Sequence, residues 1–379
     1  IQNSVPVQHP LPHDAYLDVN RGLANAYHQF TTKKTGTVAF LGGSITHNPG
    51  WRDKTAQYLR EKFPDTKFNF IAAGIPSLGS TPHAFRFSQD VLAHGIPDLL
   101  FVESAVNDQG NGFSKQAQIR ALEGIMQQMY TKNPLANVIL MAFAEPSQNT
   151  EFDAGAVPKE INVHEQIAQH YGASFINLAK EVYDRIKADE FNWKYDFKDL
   201  HPSPYGQEVY FQSIKALLQK TPQNEPSALV MPKPIDPYAY GSGTYVTISN
   251  AKKLNGFVVD PAWKPKTKLS TRSGFVDVPM LVGESAGNSL ELEFTGTAVG
   301  IAIISGPDAG IISYSIDGKK PKTLDLFSRW SKQLHLPWYL TLDDELKNKK
   351  HKLKIELTAD KNENSSGNAC RIVYFLVNE

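Results

Sequence analysis

Thr37-Val38-Ala39-Phe40-Leu41-Gly42-Gly43-Ser44-Ile45-Thr46 is the stretch whose reading decides the fold. Five residues suited to a strand, Thr37 to Leu41, run into two glycines and a serine, and Trp51 to Lys62 then has a helical pattern. Strand, turn and helix in that order open a parallel β/α unit. Further β-rich runs follow at Lys67 to Ala73, Asp98 to Ser104, Asn137 to Ala144 and Ser174 to Leu178, with helical patterns between them. Ile119, Leu122, Ile125, Met126 and Met129 recur at three- and four-residue spacing and form one core-facing stripe. A last helix reads from Tyr205 to Lys220, with Val209, Phe211, Ile214, Leu217 and Leu218 available for burial. This alternation predicts an α/β class, a parallel sheet covered by helices.

Beyond the last helix the pattern changes. Pro222, Pro226, Pro232, Pro234 and Pro237 crowd a segment that neither a helix nor a central strand tolerates, so residues 221–239 read as a linker. From about residue 240 to 379 the apolar residues alternate with polar ones: Leu290, Leu292 and Phe294; Leu353, Ile355 and Leu357; Val373, Phe375 and Val377. Asp317-Gly318 supplies a hairpin turn after Ser313 to Ile316, because glycine takes a positive φ at little cost. An antiparallel β-sandwich or jelly roll is expected there. Residues 1–35, with His9, Pro10, Pro12 and a short helical pattern near Tyr16 to Phe30, are expected to pack on the domain spanning 36–220.

A chain of 379 residues suits two domains. Lys plus Arg and Asp plus Glu number 39 each, so the chain carries no overall electrostatic footprint for nucleic acid or an anionic membrane, and neither is expected as a partner. The longest uninterrupted apolar run, Val138 to Ala144, is far short of the ~20 residues of a membrane-spanning helix. The single cysteine, Cys370, has no partner in the chain, and no Cys/His cluster has zinc-ligand spacing; neither metal nor cofactor is expected. A start at Ile1 rather than Met suits a trimmed or processed form. Oligomeric state is left open.

Three more loops stand where a parallel sheet carries its ligands, at strand ends or before a helix. They are Ala72-Ala73-Gly74-Ile75-Pro76-Ser77-Leu78-Gly79-Ser80, then Glu103-Ser104-Ala105-Val106-Asn107-Asp108, then Asp199-Leu200-His201-Pro202-Ser203-Pro204. With the Ser44 segment, these four blocks in this order resemble the GDSL-like or SGNH hydrolase family, over roughly Thr37 to Leu218. The resemblance implies a flavodoxin-like three-layer α/β/α fold and an esterase. It makes Ser44 the nucleophile and His201 its general base, with the Ser44 and Gly74 backbone N–H groups and the Asn107 amide as the oxyanion hole. The chemistry asks for these types: a serine hydroxyl is a poor nucleophile until a base takes its proton, and fixed donors must meet the charge that develops on the carbonyl oxygen.

The sequence departs from the family pattern in places. The first block reads Gly-Gly-Ser rather than Gly-Asp-Ser, Ala105 stands where a glycine is frequent, and the second block lacks an Asn two places before Gly74. More consequential, the position three before the histidine, usually Asp, is Lys198, while Asp199 and Asp196 sit two and five before it. Asp199 is taken as the third catalytic member, orienting His201; Asp196 or a backbone carbonyl are the alternatives.

Nearby residues are kept outside the catalytic set. Trp51 and Arg52 are read as a sugar-stacking pair or as a core residue and a solvated partner. Arg86 and Asp90 are read as a helix-surface pair. Trp193 and Tyr195 are pocket walls or core, and Glu103 is a strand-end carboxylate that needs partners if buried. Asn48, Arg52, Gln109, Asn111 and Asn149 make the surroundings polar, which favours a small acyl group, acetyl, on a polar carrier. Phe327-Ser328-Arg329-Trp330 and Leu336-Pro337-Trp338-Tyr339 in the β domain offer rings for a sugar or for the sandwich core. The expectation is a secreted or periplasmic carbohydrate O-acetylesterase acting on an acetylated oligo- or polysaccharide. The alternatives are a lipid or thioester acylhydrolase of the same family and an inactive glycan-binding protein.

Overall fold

The computed structural model describes residues 10–379, so His9 lies outside the described residues. The chain divides into two compact units, Ile1–Gly241 and Ser242–Glu379.

The first unit is built on a six-stranded sheet: β1 (Leu17–Asp18), β2 (Thr35–Gly42), β3 (Lys67–Gly74), β4 (Leu99–Glu103), β5 (Asn137–Met141) and β6 (Ser174–Ile176), in the order β1-β6-β5-β4-β2-β3. Strands β2 to β6 are parallel, as the alternation of strand and helix patterns requires. β4 and β5 are buried along their whole length, which is why they read as continuous apolar runs rather than alternating ones. The chain leaves β2 to one side to make β3, then crosses to the other side of β2 to make β4. That reversal puts the carboxyl ends of β3, β2 and β4 side by side, the crevice where sheets of this type hold ligands.

The helix Trp51–Lys62 follows as expected, the stripe from Ile119 to Met129 lies on the helix Lys115–Lys132, and the last helix is Pro204–Gln219. A run of aromatic contacts joins β2 to that last helix: Phe40 on Trp51 and Phe101, Trp51 on Phe143, Phe143 on Tyr210, and Tyr210 on Phe197. Each aromatic pair adds about 0.5–1.5 kcal/mol beyond the apolar area it buries.

Two segments differ from the expectation. Residues near Tyr16 to Phe30 are not one helix: His13–Tyr16 is a short turn, Leu17–Asp18 pairs antiparallel with the otherwise open edge of β6, and only Ala24–His28 is α-helical before a wider turn at Gln29–Lys33. Gly22, at a φ of +66°, breaks the period, and an unpaired strand edge offered the alternative. The Pro-rich segment is strapped to the first unit. Leu229 N–H donates to Pro134 O, Ser227 N–H to Asn25, and Ile235 and Asp236 N–H both to the Glu123 carboxylate, while Arg120 pairs with Asp236.

The second unit is all antiparallel. One sheet has β15 (Leu336–Asp343), β12 (Ala298–Ser305), β17 (Cys370–Asn378), β10 (Val278–Gly283) and β9 (Val258–Trp263) in that order, with β7 (Gly243–Thr247) also on β17. The other has β14 (Lys322–Asp325), β13 (Ile311–Ile316), β16 (Lys349–Leu357), β11 (Ser289–Gly296) and β8 (Ala251–Asn255). Leu290 faces Ile355 and Leu292 faces Leu353 across β11 and β16, and with Ile301, Ile372 and Phe375 of the first sheet they form one core, the mark of a sandwich. Asp317 and Gly318, at φ of +53° and +69°, make the turn from β13 to β14. Trp338 packs on this core and Tyr339 is buried, whereas Trp330 is exposed with the Arg329 guanidinium over its ring, 4.6 Å from the centroid. Cys370 is buried, and burial pushes its thiol up to about 12.

Candidate active site

β2 ends at Gly42, Gly43 caps a single helical turn at Ser44–His47, and Ser44 is the first residue of that turn. Its N–H is therefore among the donors that a helix start leaves without an internal partner. Both glycines are required by close approach. A Cβ at Gly42 would stand 2.2 Å from Thr46 Oγ1, because the turn folds back over the strand end, and one at Gly43 would stand 1.9 Å from Asn107 Oδ1. The far end of the turn is closed by Arg52, which donates to Thr46 O and His47 O at 3.1 and 3.3 Å. Arg52 thus braces the Ser44 turn, and it also pairs with the Asp53 carboxylate at 3.0 Å. Trp51 is fully buried in the aromatic core and offers no face to a sugar.

His201 comes from the loop before the last helix. Ser203 caps that helix through Gly206 N–H and Pro204 occupies its first turn, so the helix start is fixed by local sequence. Phe197, buried against Tyr210, and Ser203 N–H donating to Phe197 O hold the loop down. The result places His201 Nε2 at 2.8 Å from Ser44 Oγ, across 157 residues of chain. With the ring proton on Nδ1, the hydroxyl donates to Nε2.

The carboxylates behave differently from the expectation. Asp199 Oδ1 accepts the backbone N–H of His201 at 2.6 Å and lies 3.8 Å from Nδ1, beyond hydrogen-bond length. It shapes the turn and stands beside the ring. Asp196 accepts Asn192 N–H at 2.7 Å, again a turn contact. Lys198 adopts a φ of +90°, a conformation that side-chain-bearing residues rarely take.

Of the expected oxyanion donors, Asn107 sits on the helix Ala105–Asn111 with its side-chain amide, oxygen foremost, against Gly43, the neighbour of Ser44. Gly74, at the end of β3, is in register with Gly42, but its neighbours are the backbone of Thr46 and His47, and its carbonyl accepts from His47 Nδ1 at 3.0 Å. It lies along the far end of the Ser44 turn. Gly79, not singled out in the sequence, is a second glycine of the same block, placed beside the third block. It caps the helix Ser80–Asp90, has the Asp108 carboxylate and backbone against it, and follows Leu78, whose carbonyl closes on Gly43. Its signal was present as a second glycine just before a helix start.

Beneath the site lies a group of buried polar side chains. Asp108 accepts Ser80 N–H at 2.7 Å, and burial raises its carboxyl to about 8. Glu103 accepts Val106 N–H at 3.2 Å, and burial raises it to about 7, so its partners are backbone amides and its charge is disfavoured. Arg86 is not a surface residue: it is fully buried, and its partners are Asp90, His83 and the carbonyls of Gly42 and Ala73. Trp193 stacks on Phe197, whereas Tyr195 is exposed. Among the described residues there is no group of three or more His, Cys, Asp or Glu able to hold a metal ion, and no helix long and apolar enough to cross a membrane.

Residues 40–209 match the model of the GDSL-like Lipase/Acylhydrolase family. No curated protein matches the chain. Among solved structures, a two-domain esterase active on acetylated mannans, co-crystallized with mannopentaose, is 21% identical, and the match covers 97% of this chain and 98% of that one at a TM-score of 0.78. A second structure of such an esterase gives 21%, 96%, 98% and 0.77. At that identity the likeness is one of fold, a helix-covered parallel sheet followed by antiparallel sheets. A variant of an acetyl xylan esterase from Geobacillus stearothermophilus is 18% identical over 48% of this chain and 94% of that one, with a TM-score of 0.39.

Proposed function

We propose, from the match of residues 40–209 to the GDSL-like lipase/acylhydrolase model, that the protein is a serine esterase that removes small acyl groups, acetyl above all, from carbohydrate. The observation that carries the reading is the 2.8 Å contact of Ser44 Oγ with His201 Nε2, at the carboxyl ends of adjacent strands and beside Asn107. In the reaction, Ser44 Oγ bonds to the ester carbonyl carbon as its proton passes to His201 Nε2. The oxyanion is met by the Ser44 N–H, the Asn107 amide and a glycine N–H from the second block, Gly74 or Gly79. The sugar oxygen leaves with the proton from His201. Water, deprotonated by the same nitrogen, then attacks the acyl-enzyme and releases acetate and free Ser44. Asp199 holds the turn that presents the imidazole, by accepting the His201 backbone N–H.

Three features support a small acyl group on a polar carrier. The exposed large apolar side chains nearest His201 in the chain are Tyr195 and Tyr205, rings that suit sugar faces rather than an alkyl chain. The polar residues foreseen around the site, Gln109 and Asn111, hydrogen-bond Ser147 and Ser77 O there. The two-domain relative acts on acetylated mannans, which makes acetylated mannan the first substrate to test. Such polymers lie outside the cytoplasm, so a secreted or periplasmic location belongs to the same proposal.

The test is acetate release from acetylated mannan and xylan, together with 4-nitrophenyl esters of two to twelve carbons, by the parent and Ser44→Ala. The proposal expects a preference for acetate esters that disappears in Ser44→Ala. Preference for the long chains would turn the reading to a lipid acylhydrolase, and equal hydrolysis by both proteins would remove Ser44 from the mechanism.

A further inference from the structure

Arg86 is fully buried in the helix Ser80–Asp90, on the unit that carries the site, yet the reaction as derived above does not use it. Its guanidinium spends its donors on backbone and neighbours. Nη2 donates to Ala73 O at 2.5 Å and to Gly42 O at 3.3 Å, Nε donates to His83 Nδ1 at 3.2 Å, and Nη1 pairs with Asp90 at 2.9 Å. His83 is itself fully buried, and burial beside the Arg86 charge holds its ring well below the usual imidazole range, which leaves Nδ1 free to accept. A planar fork of donors is the one side chain able to reach two carbonyls of adjacent strands and a ring at once.

The two carbonyls are not arbitrary. Gly42 is the last residue of β2 and Ala73 the next to last of the adjacent parallel strand β3, so both lie where the ladder ends and the chain turns into the first and second blocks. Gly42 lies two residues before Ser44 and under Thr46, so the Ser44 turn rests on it. Its carbonyl also accepts Ile75 N–H at 3.0 Å, which ties the second block to the same point. The helix that bears Arg86 begins at the loop Leu78-Gly79, which lies against Gly43 and Asp108. One guanidinium therefore connects the nucleophile strand, the neighbouring strand end and the loop that supplies a glycine donor.

We propose that Arg86 is a positioning residue for acyl transfer: by holding Gly42 O and Ala73 O from below, it sets where Ser44 and the glycine donor stand relative to His201. This rests on the esterase reading above. Charge-assisted bonds to backbone carbonyls are short and directional, and a shift of about 1 Å in a reacting group costs on the order of a hundredfold in rate. Substrate binding, made by groups at the mouth of the site, does not depend on the buried fork.

The experiment compares the parent, Arg86→Lys and Arg86→Met on 4-nitrophenyl acetate, with kcat and KM separated. Rates are normalised to the Ser44 that paraoxon labels at end point, so unfolded protein does not count. Arg86→Met is expected to lose about a hundredfold in kcat with KM within about twofold, and Arg86→Lys, which keeps one charged donor, to recover about tenfold of that loss. A structural role alone would lower Tm and leave normalised kcat unchanged, and that result overturns the proposal. So does a loss carried by KM. If Arg86→Met yields no labelled protein, Arg86→Lys decides: a reduced kcat at unchanged KM supports the proposal, and the parent value refutes it. A parent that hydrolyses no ester, or does so without Ser44, fails the esterase reading instead and is visible before any Arg86 variant is measured.

Discussion

Replacing Asp199 with Asn separates two accounts of how His201 is held. Asn keeps an oxygen that can accept the His201 N–H now bonded at 2.6 Å, so the turn survives and only the charge is lost. That charge stands 3.8 Å from Nδ1, with Asp199 and His201 side chains 54% and 48% exposed, so water screens the pair. At a water-like dielectric of ~80, 332/(ε·r) over that separation gives about 1 kcal/mol, or about sixfold in kcat/KM. A carboxylate buried and hydrogen-bonded to the imidazole would be worth ~10⁴ in kcat. The assay is kcat/KM for 4-nitrophenyl acetate at pH 8, in low salt and in 1 M salt. Asp199→Asn is expected to fall by about sixfold in low salt, with the deficit shrinking in 1 M salt as the Debye length drops to ~3 Å. A loss of a thousandfold or more would refute the reasoning, since it would require a direct bond to Nδ1 in the working enzyme.

If the proposed oxyanion hole holds, Asn107→Ala should lose about 10²–10³ in kcat, close to 3 kcal/mol of barrier, with Tm little changed, because the side chain stands beside Gly43 and is only partly buried. Activity and thermal melting of the same sample check both halves. Gly43→Ala should abolish turnover more completely, since its Cβ would overlap Asn107 Oδ1 at 1.9 Å; an active Gly43→Ala would show that the amide stands elsewhere. For pH, the Asp108 and Glu103 carboxyls are raised to about 8 and about 7. Each binds its proton more tightly when folded, so their contribution is fully present below the carboxylate range of the unfolded chain. It is lost as pH rises through 7 and 8. Melting temperature should therefore decline from pH 6 to pH 9, and Asp108→Asn should flatten that decline; an unchanged slope would mean Asp108 is ionised in the fold.

Much of the first unit was legible because parallel strands covered on both faces must be apolar throughout, and Val138-Ile139-Leu140-Met141 can hardly be anything else. Block order carried the site equally far, since Ser44 and His201 do meet. What the linear reading missed was decided by hydrogen bonds between distant segments. Leu17–Asp18 became a strand only because β6 had an open edge, and the Pro-rich segment was anchored by the buried Glu123. The run His83-Ala84-Phe85-Arg86-Phe87 did hold a clue, a lone charge among apolar residues, but helix periodicity alone cannot say whether such a charge faces solvent or strand ends.

By itself, then, the amino-acid order determined the succession of strands and helices and which candidate groups stand at their ends, because periodicity, capping and turn chemistry act over a few residues. Only the tertiary structure decided that Asp199 bonds the backbone instead of the imidazole, that Gly74 lies against Thr46 and His47 while the Leu78 carbonyl closes on Gly43, and that Arg86 lies under Gly42. Those are differences of an ångström or two between segments far apart in the chain, and the packing that sets them has no local signature.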